Sequence, residues 1–165
     1  MSVLVVGDTI TDIIVMPEGP VVRGSDRRAV IRSQPGGSGA NQAVWLGSLG
    51  VKVKFVSRVA AADLDASTAY FTSRGVTAVL SGDTALPSGV LISIVDADGE
   101  RSFLTDRGAN LNLSQADLPP SLLDGVKLLL VSGYSFFTPG PRAALRVVMR
   151  KCAPNTLFRC SCSGP

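Results

Sequence analysis

The sequence predicts an α/β protein: a mostly parallel sheet with a small accessory β element. Three observations predict it. "VLVVG" near the start and "VKLLLVSG" over residues 126–133 are short apolar runs ended by glycine, the pattern of parallel strands buried on both faces. Helical and extended patterns alternate along most of the chain. "SGVLISIVDADGERSFLTD" reads as a hairpin, two β-rich runs flanking Asp98-Gly99, a pair suited to the positive φ angles of a type I′ turn.

The elements follow in order. After the first strand, "TDIIVMPEGPVVRGSDRRAVIRSQPGG" is broken by Pro17, Gly19, Pro20 and Gly24, which favours edge strands or a flap over helix. Residues 40–49 read as a helix, with Ala40, Ala43, Val44 and Gly47 lining one face and Gly50 at its stop. "VKVKFVSRV" alternates, placing Val51, Val53 and Phe55 on one side. A helix over residues 63–74 ends at Arg74-Gly75, and "TAVLS" is a short strand. Ser114 starts a short helix, with Asp117 completing a weak capping box. Pro141 opens a helix through about Arg150. "TLF" starts another core strand, but the atypical tail over residues 158–165, "FRCSCSGP", interrupts it. A sheet ending mid-unit leads us to expect that the chain stops inside a larger fold.

Composition narrows the function. At 165 residues, with 45% apolar and 18% charged residues, the chain has the size and balance of one globular domain. Its net charge is only +3 and its arginines are scattered, so no nucleic-acid partner is expected. No apolar run reaches the ~18 residues of a membrane span. "MSVLVVGDTI" lacks the basic flank and cleavage site of a signal peptide. No membrane partner is expected, and the expected compartment is the cytoplasm. Cys152, Cys160 and Cys162 match no common zinc spacing and read as reduced thiols without function. The sequence contains no histidine, which excludes Ser-His and Cys-His nucleophiles within it.

The chemistry must then come from carboxylates, hydroxyls and backbone. Asp8 and Asp12 follow the first strand, where ligands of open parallel sheets bind. By position Asp8 reads as a turn residue, while Asp12 is balanced between a solvated role and a ligand of hydroxyl groups. "GGSGAN", residues 36–41, has several readings. It could hold an anion at a helix N-terminus, or bring backbone close to a hydroxylated ligand with Asn41 as donor and acceptor. It could also be a turn with Ser38 as helix cap. The third glycine of a dinucleotide fingerprint is absent, as is a Walker loop. As a bare motif, the turn prevails.

The ordered set "VLVVGDTITDIIV", "PGGSGANQAVWLGSLG", "VKVKFVSRVAAADLDAS", "SGVLISIVDADGERSFLTDRGAN" and "LLLVSGYS" resembles the N-terminal half of the ribokinase-like, phosphofructokinase-B type carbohydrate kinases. The likeness spans about residues 3–150. "GGSGANQA" looks like that family's first signature, with Ser38 where ribokinases typically have lysine. The resemblance implies a ribokinase-like three-layer fold. It implies that Asp12, Gly36, Gly37, Ser38 and Asn41 bind sugar or nucleoside hydroxyls, with Tyr134 a weaker member. It implies a β-lid from residues 13–33 and 89–105, which in some members forms a homodimer interface. ATP and Mg²⁺ are the expected cofactors of a complete member, transferring the γ-phosphate to a sugar hydroxyl.

The family's second signature, D-T-x-G-A-G-D, supplies the catalytic base and anion hole. It is absent here, where "VVGDT" and "LSGDT" are the near-echoes. Negligible kinase activity is therefore expected of this chain alone, with no catalytic base and no ATP or metal contact assigned to its residues. The rival readings are a non-catalytic sugar-binding or dimerising module and an inactive truncated product.

Overall fold

A computed structural model describes residues 2–161. Among these, the strands are β1 (Ser2–Val6), β2 (Ile10–Pro17), β3 (Ala29–Gly36), β4 (Lys52–Ala60), β5 (Val76–Asp83), β6 (Gly89–Val95), β7 (Arg101–Asp106), β8 (Leu128–Ser132) and β9 (Leu157–Ser161). The α-helices are α1 (Ser38–Ser48), α2 (Leu64–Thr72) and α3 (Pro139–Lys151).

The described strands form two sheets. The first is parallel throughout, in the order β5-β4-β1-β8-β9. The second runs β3-β2-β6-β7, antiparallel except where β2 lies parallel to β6. The pleat of β1 explains the layering of the first. Val3 and Val5 pack with Ala40 and Ala43 of α1, Phe55, and Phe71 of α2. Leu4 and Val6 pack with Leu129, Val131, and Ala144, Leu145 and Val148 of α3. The central strand is thus buried on both sides, which is why its sequence is continuously apolar. Small side chains at Ala40 and Ala43 let α1 lie close against the sheet.

The expected flap is two regular strands, β2 and β3, joined through residues 18–28, with β3 at the sheet edge and β2 inside it. Other expectations need correction in detail. The hairpin turn is not type I′. Gly99 N–H donates to Asp96 O and Asp96 N–H to Glu100 O, both at 3.1 Å, and only Gly99 has positive φ (84°). This is a three-residue loop, held by the Asp96 carboxylate accepting from the N–H groups of Asp98 and Glu100. The helix assigned to Pro141 begins at Pro139. Its first backbone bond runs from Arg142 N–H to Thr138 O (3.0 Å), so both prolines occupy first-turn positions where no N–H is needed. Ser114 and Asp117 cap only a single 3₁₀ turn.

β9 continues through Ser161, paired in register with β8 from Leu128↔Leu157 to Ser132↔Ser161. It is an exposed edge strand rather than a core strand. Cys160 lies on it, Cys162 lies outside the described residues, and burial raises the Cys152 thiol above its usual pKa. No described helix is long and apolar enough to cross a membrane.

Candidate functional site

The first sheet has a switch point between β1 and β8. From β1 the chain passes through α1 to β4 on one side, while β8 leads through α3 to β9 on the other. The carboxyl ends of β1 and β8 therefore open onto a crevice, the usual ligand position in such sheets. α1 begins directly above it. A Cβ on Gly39 would stand 2.7 Å from Gly7 Cα, so glycine alone lets the helix start touch the strand end.

Asp8 fills the space between them. Its carboxylate accepts from Ser132 Oγ (2.6 Å), Ser38 N–H (3.2 Å) and Gly39 N–H (3.4 Å), and its main-chain oxygen accepts from Ala40 N–H (3.1 Å). Asp8 is only 4% exposed. The free N–H groups of α1 are thus met by the protein's own anion, which closes this helix start to a phosphate. Ser38 is not the helix cap. Gly37 holds the capping position, with φ 98°, and the Ser38 hydroxyl accepts instead from Gln42 Nε2 (3.1 Å).

Asp12 behaves differently. It lies on β2 opposite Gln34, within the lid sheet. A methyl group on Gly36 would overlap its carboxyl group, with Oδ1 only 2.7 Å away, so glycine there is what allows Asp12 to lean toward the start of α1. Burial first, and then the nearby Asp8 charge, raise its carboxyl above the usual pKa. Among the described residues its side chain has no hydrogen-bond partner. Asn41, one turn into α1, donates its N–H to Gly37 O (2.9 Å) and has an exposed carboxamide. Tyr134 follows β8, and its ring carries the Arg107 guanidinium 4.9 Å from its centroid. The structure therefore gathers Asp12, Gly36, Gly37, Ser38 and Asn41 along the β2–β3–α1 junction. Tyr134 is not among them and follows the carboxyl end of β8.

Sequence reasoning assigned no role to two constellations, although it noted Asn110 within "RGAN". Asn110 clamps the loop after β1, accepting from Thr9 N–H (3.0 Å) and donating to Thr9 O and Arg107 O (both 2.8 Å). Arg58 binds Asp83 (2.8 Å) and Asp117 (3.0 Å). Asp83 also accepts from Ala85 N–H, Leu86 N–H and Asn112 Nδ2. Led by the Arg58 bond, these partners hold Asp83 far below the usual carboxylate range. Both networks fix loops at the carboxyl end of the sheet.

Hollows among the described residues lie near the lid base and at the opposite end of the sheet. A groove of about 360 Å³ lies behind the lid base, between Thr9–Thr11, Pro35 and Gly36 on one wall and Ser67, Tyr70 and Phe71 on the other. A larger one, about 430 Å³, sits at the amino-terminal ends of β1 and β4, away from the crevice. Neither contains Asp12, Ser38 or Asn41.

The family model described as pfkB family carbohydrate kinase matches residues 1–163. The chain belongs to the pfkB family of carbohydrate kinases. No curated protein matches it. Solved structures share the fold of this pfkB chain. It is 20% identical to a ribokinase from Giardia lamblia, covering 96% of this chain and 49% of that one, with a TM-score of 0.81. It is 19% identical to a fructokinase from Xylella fastidiosa with bound ATP, covering 99% and 52% respectively, with a TM-score of 0.80. It is 24% identical to an adenosine kinase from Sinorhizobium meliloti, covering 96% and 55%, with a TM-score of 0.77. The pfkB chain spans about half the length of each. Among its described residues there is no cluster able to ligate a metal ion.

Proposed function

We propose that this chain is the sugar-binding, lid-bearing part of a ribokinase-type sugar kinase, one that transfers the ATP γ-phosphate to a hydroxyl of a sugar or nucleoside. One observation carries the reading: Asp12 is an unpartnered, half-buried carboxylate leaning over Gly36 beside a helix start already sealed by Asp8. A carboxylate accepts but cannot donate, so its natural partners are hydroxyl groups of a neutral ligand. Gly36, Gly37 and Ser38 offer close backbone, and Asn41 can both donate and accept. Tyr134 bounds the site across the crevice. The lid of β2, β3, β6 and β7 excludes water from the bound sugar, which protects phosphoryl transfer from hydrolysis.

ATP with Mg²⁺ supplies the phosphoryl group in this chemistry. The residues of this chain do not fit it, because the N–H groups of α1 are bonded to Asp8. The base that deprotonates the sugar hydroxyl belongs to the D-T-x-G-A-G-D signature, which this sequence does not contain. The chain alone should therefore bind sugar without consuming ATP, and we place its work in the cytoplasm.

The lid's outer face supports a homodimer as part of this reading. Ile13, Val15, Ile31, Ile92, Ile94 and Leu104 share that face by register, with Ile31 64% and Leu104 61% exposed.

Titration calorimetry with D-ribose, D-fructose and adenosine tests the site. We expect one of them to bind and Asp12→Ala to abolish its binding without unfolding the chain. Unchanged affinity in a folded Asp12→Ala variant would refute the assignment.

A further inference from the structure

The inner face of the lid holds its polar groups in register. Cross-strand pairing sets Gln34 of β3 directly beside Asp12, with Leu91 of β6 on the other flank and Thr105 of β7 beyond it. Side chains directly opposed on one face have Cβ atoms about 4.5–5.5 Å apart. The carboxylate and the carboxamide therefore stand side by side over the same space. No hydrogen bond joins them, and among the described residues neither side chain has a partner. The row nearer α1 consists of Gly36, Ile10 and Gly89, which offer no polar side chain. Gln34 is thus the nearest polar neighbour that register gives Asp12.

We propose that Gln34 binds a substrate hydroxyl adjacent to the one held by Asp12, so that the pair selects ligands carrying hydroxyls on neighbouring carbons. This rests on the sugar-binding reading above and extends it to specificity. The chemistry is complementary. Asp12 can only accept, so a diol bound to it alone keeps its own lone pairs unmet. The Gln34 amide donates to one of those oxygens, while its carbonyl accepts from the next hydroxyl. Leu91 supplies an apolar wall for the C–H face of the same ligand. A ligand lacking the hydroxyl would forfeit the Gln34 bond and bind more weakly than the parent, which is how a hydrogen-bonding site discriminates deoxy analogues. Gln34 lies on an exposed edge strand, so replacing it leaves the core intact.

The test uses the whole chain and calorimetry with D-ribose, D-fructose and adenosine, followed by the monodeoxy analogues of whichever binds. Gln34→Leu should weaken the parent ligand by about 3- to 10-fold, the scale of one neutral hydrogen bond. It should leave one monodeoxy analogue unaffected, so that discrimination at that hydroxyl falls to about one. The thermal midpoint should not move. A variant that keeps the wild-type ratio for every analogue overturns the proposal. So does one that weakens parent and analogues equally, since that marks a purely structural role. If the wild-type chain binds none of the three probes, the sugar site itself fails and the proposal falls with it; if it binds and only the ratios are unmoved, the site stands without Gln34.

Discussion

Removing the Asp8 carboxylate is the most direct test of how the crevice is built. In Asp8→Ala, Ser132 Oγ loses a short buried partner, and the N–H groups of Ser38 and Gly39 lose longer ones at 3.2 and 3.4 Å. A hydrogen bond to a charged group is worth about 1.5–3 kcal/mol, and we take about 2 kcal/mol for the Ser132 bond. The two long bonds and the charge at the helix start add about 1 kcal/mol together. Relief of the buried charge works in the opposite direction. The net loss should be about 2–3 kcal/mol, which for a chain of this length lowers Tm by roughly 4–12 °C. Thermal unfolding followed by circular dichroism reads it, and Asp8→Asn should lose about half as much because one acceptor survives. The same substitution frees the start of α1. Inorganic phosphate should then raise the Tm of Asp8→Ala but not of the wild type. A variant that melts within about 1 °C of wild type, or one whose phosphate response equals that of wild type, refutes the idea that Asp8 is the anion of this helix.

Other substitutions probe the remaining parts. Gly36→Ala should displace the Asp12 carboxyl and cut sugar affinity at least about tenfold, as titration calorimetry would show, because the methyl group and Asp12 cannot share the space. Asp12→Asn should raise Tm at neutral pH. Its folded pKa lies above the unfolded value, so the ionised form costs stability above the folded pKa, and the gain should vanish as melts are taken down toward pH 3. Asp83 has the opposite sign: its stabilisation is complete above the unfolded value of about 3.9 and drains as pH falls below it, so Arg58→Leu should flatten the acid limb of a Tm-against-pH curve. If the chain dimerises through the lid as proposed, Ile31→Glu with Leu104→Glu should leave it monomeric in sedimentation velocity, with the melting curve of the main sheet unchanged.

The main sheet was legible because its strands obey one rule. Val3–Val6 are buried from both sides, and Leu128–Val131 pack on both sides with Leu128 and Leu130 partly buried, a demand that leaves continuous apolar runs in the text. The lid strands were harder, since β3 and β7 are largely exposed and their composition is set by the face they share with β2 and β6. Turn chemistry was misread where a sequence pair permits two geometries. Asp98-Gly99 suits type I′, but Asp96 captures the loop instead, and only Gly99 takes the positive φ. For the site, "GGSGAN" located the helix start correctly but not its cap. The cap comes from Asp8, 31 positions before Gly39, and is steadied by Ser132, 124 positions after it. No local pattern can report a bond of that span.

Asp8 and Asp12, four positions apart, show why a glycine-rich helix start can serve opposite chemistries. An unfilled helix N-terminus attracts anions through its N–H groups and dipole. Here that attraction is spent internally, because a buried carboxylate already takes the Ser38 and Gly39 N–H groups. What remains open to a ligand is Asp12, whose carboxyl pKa is raised by burial and by the Asp8 charge. On the β2–β3–α1 side of the crevice both titratable groups are acidic, which disfavours an anion there and suits a hydroxylated neutral molecule. The preference extends to the reaction proposed here. In that reaction a sugar would enter uncharged and leave as a phosphate ester, and Asp12, which would hold the first, would with Asp8 behind it repel the second. On that reading, the charge arrangement that would select a neutral substrate would also favour release of an anionic product.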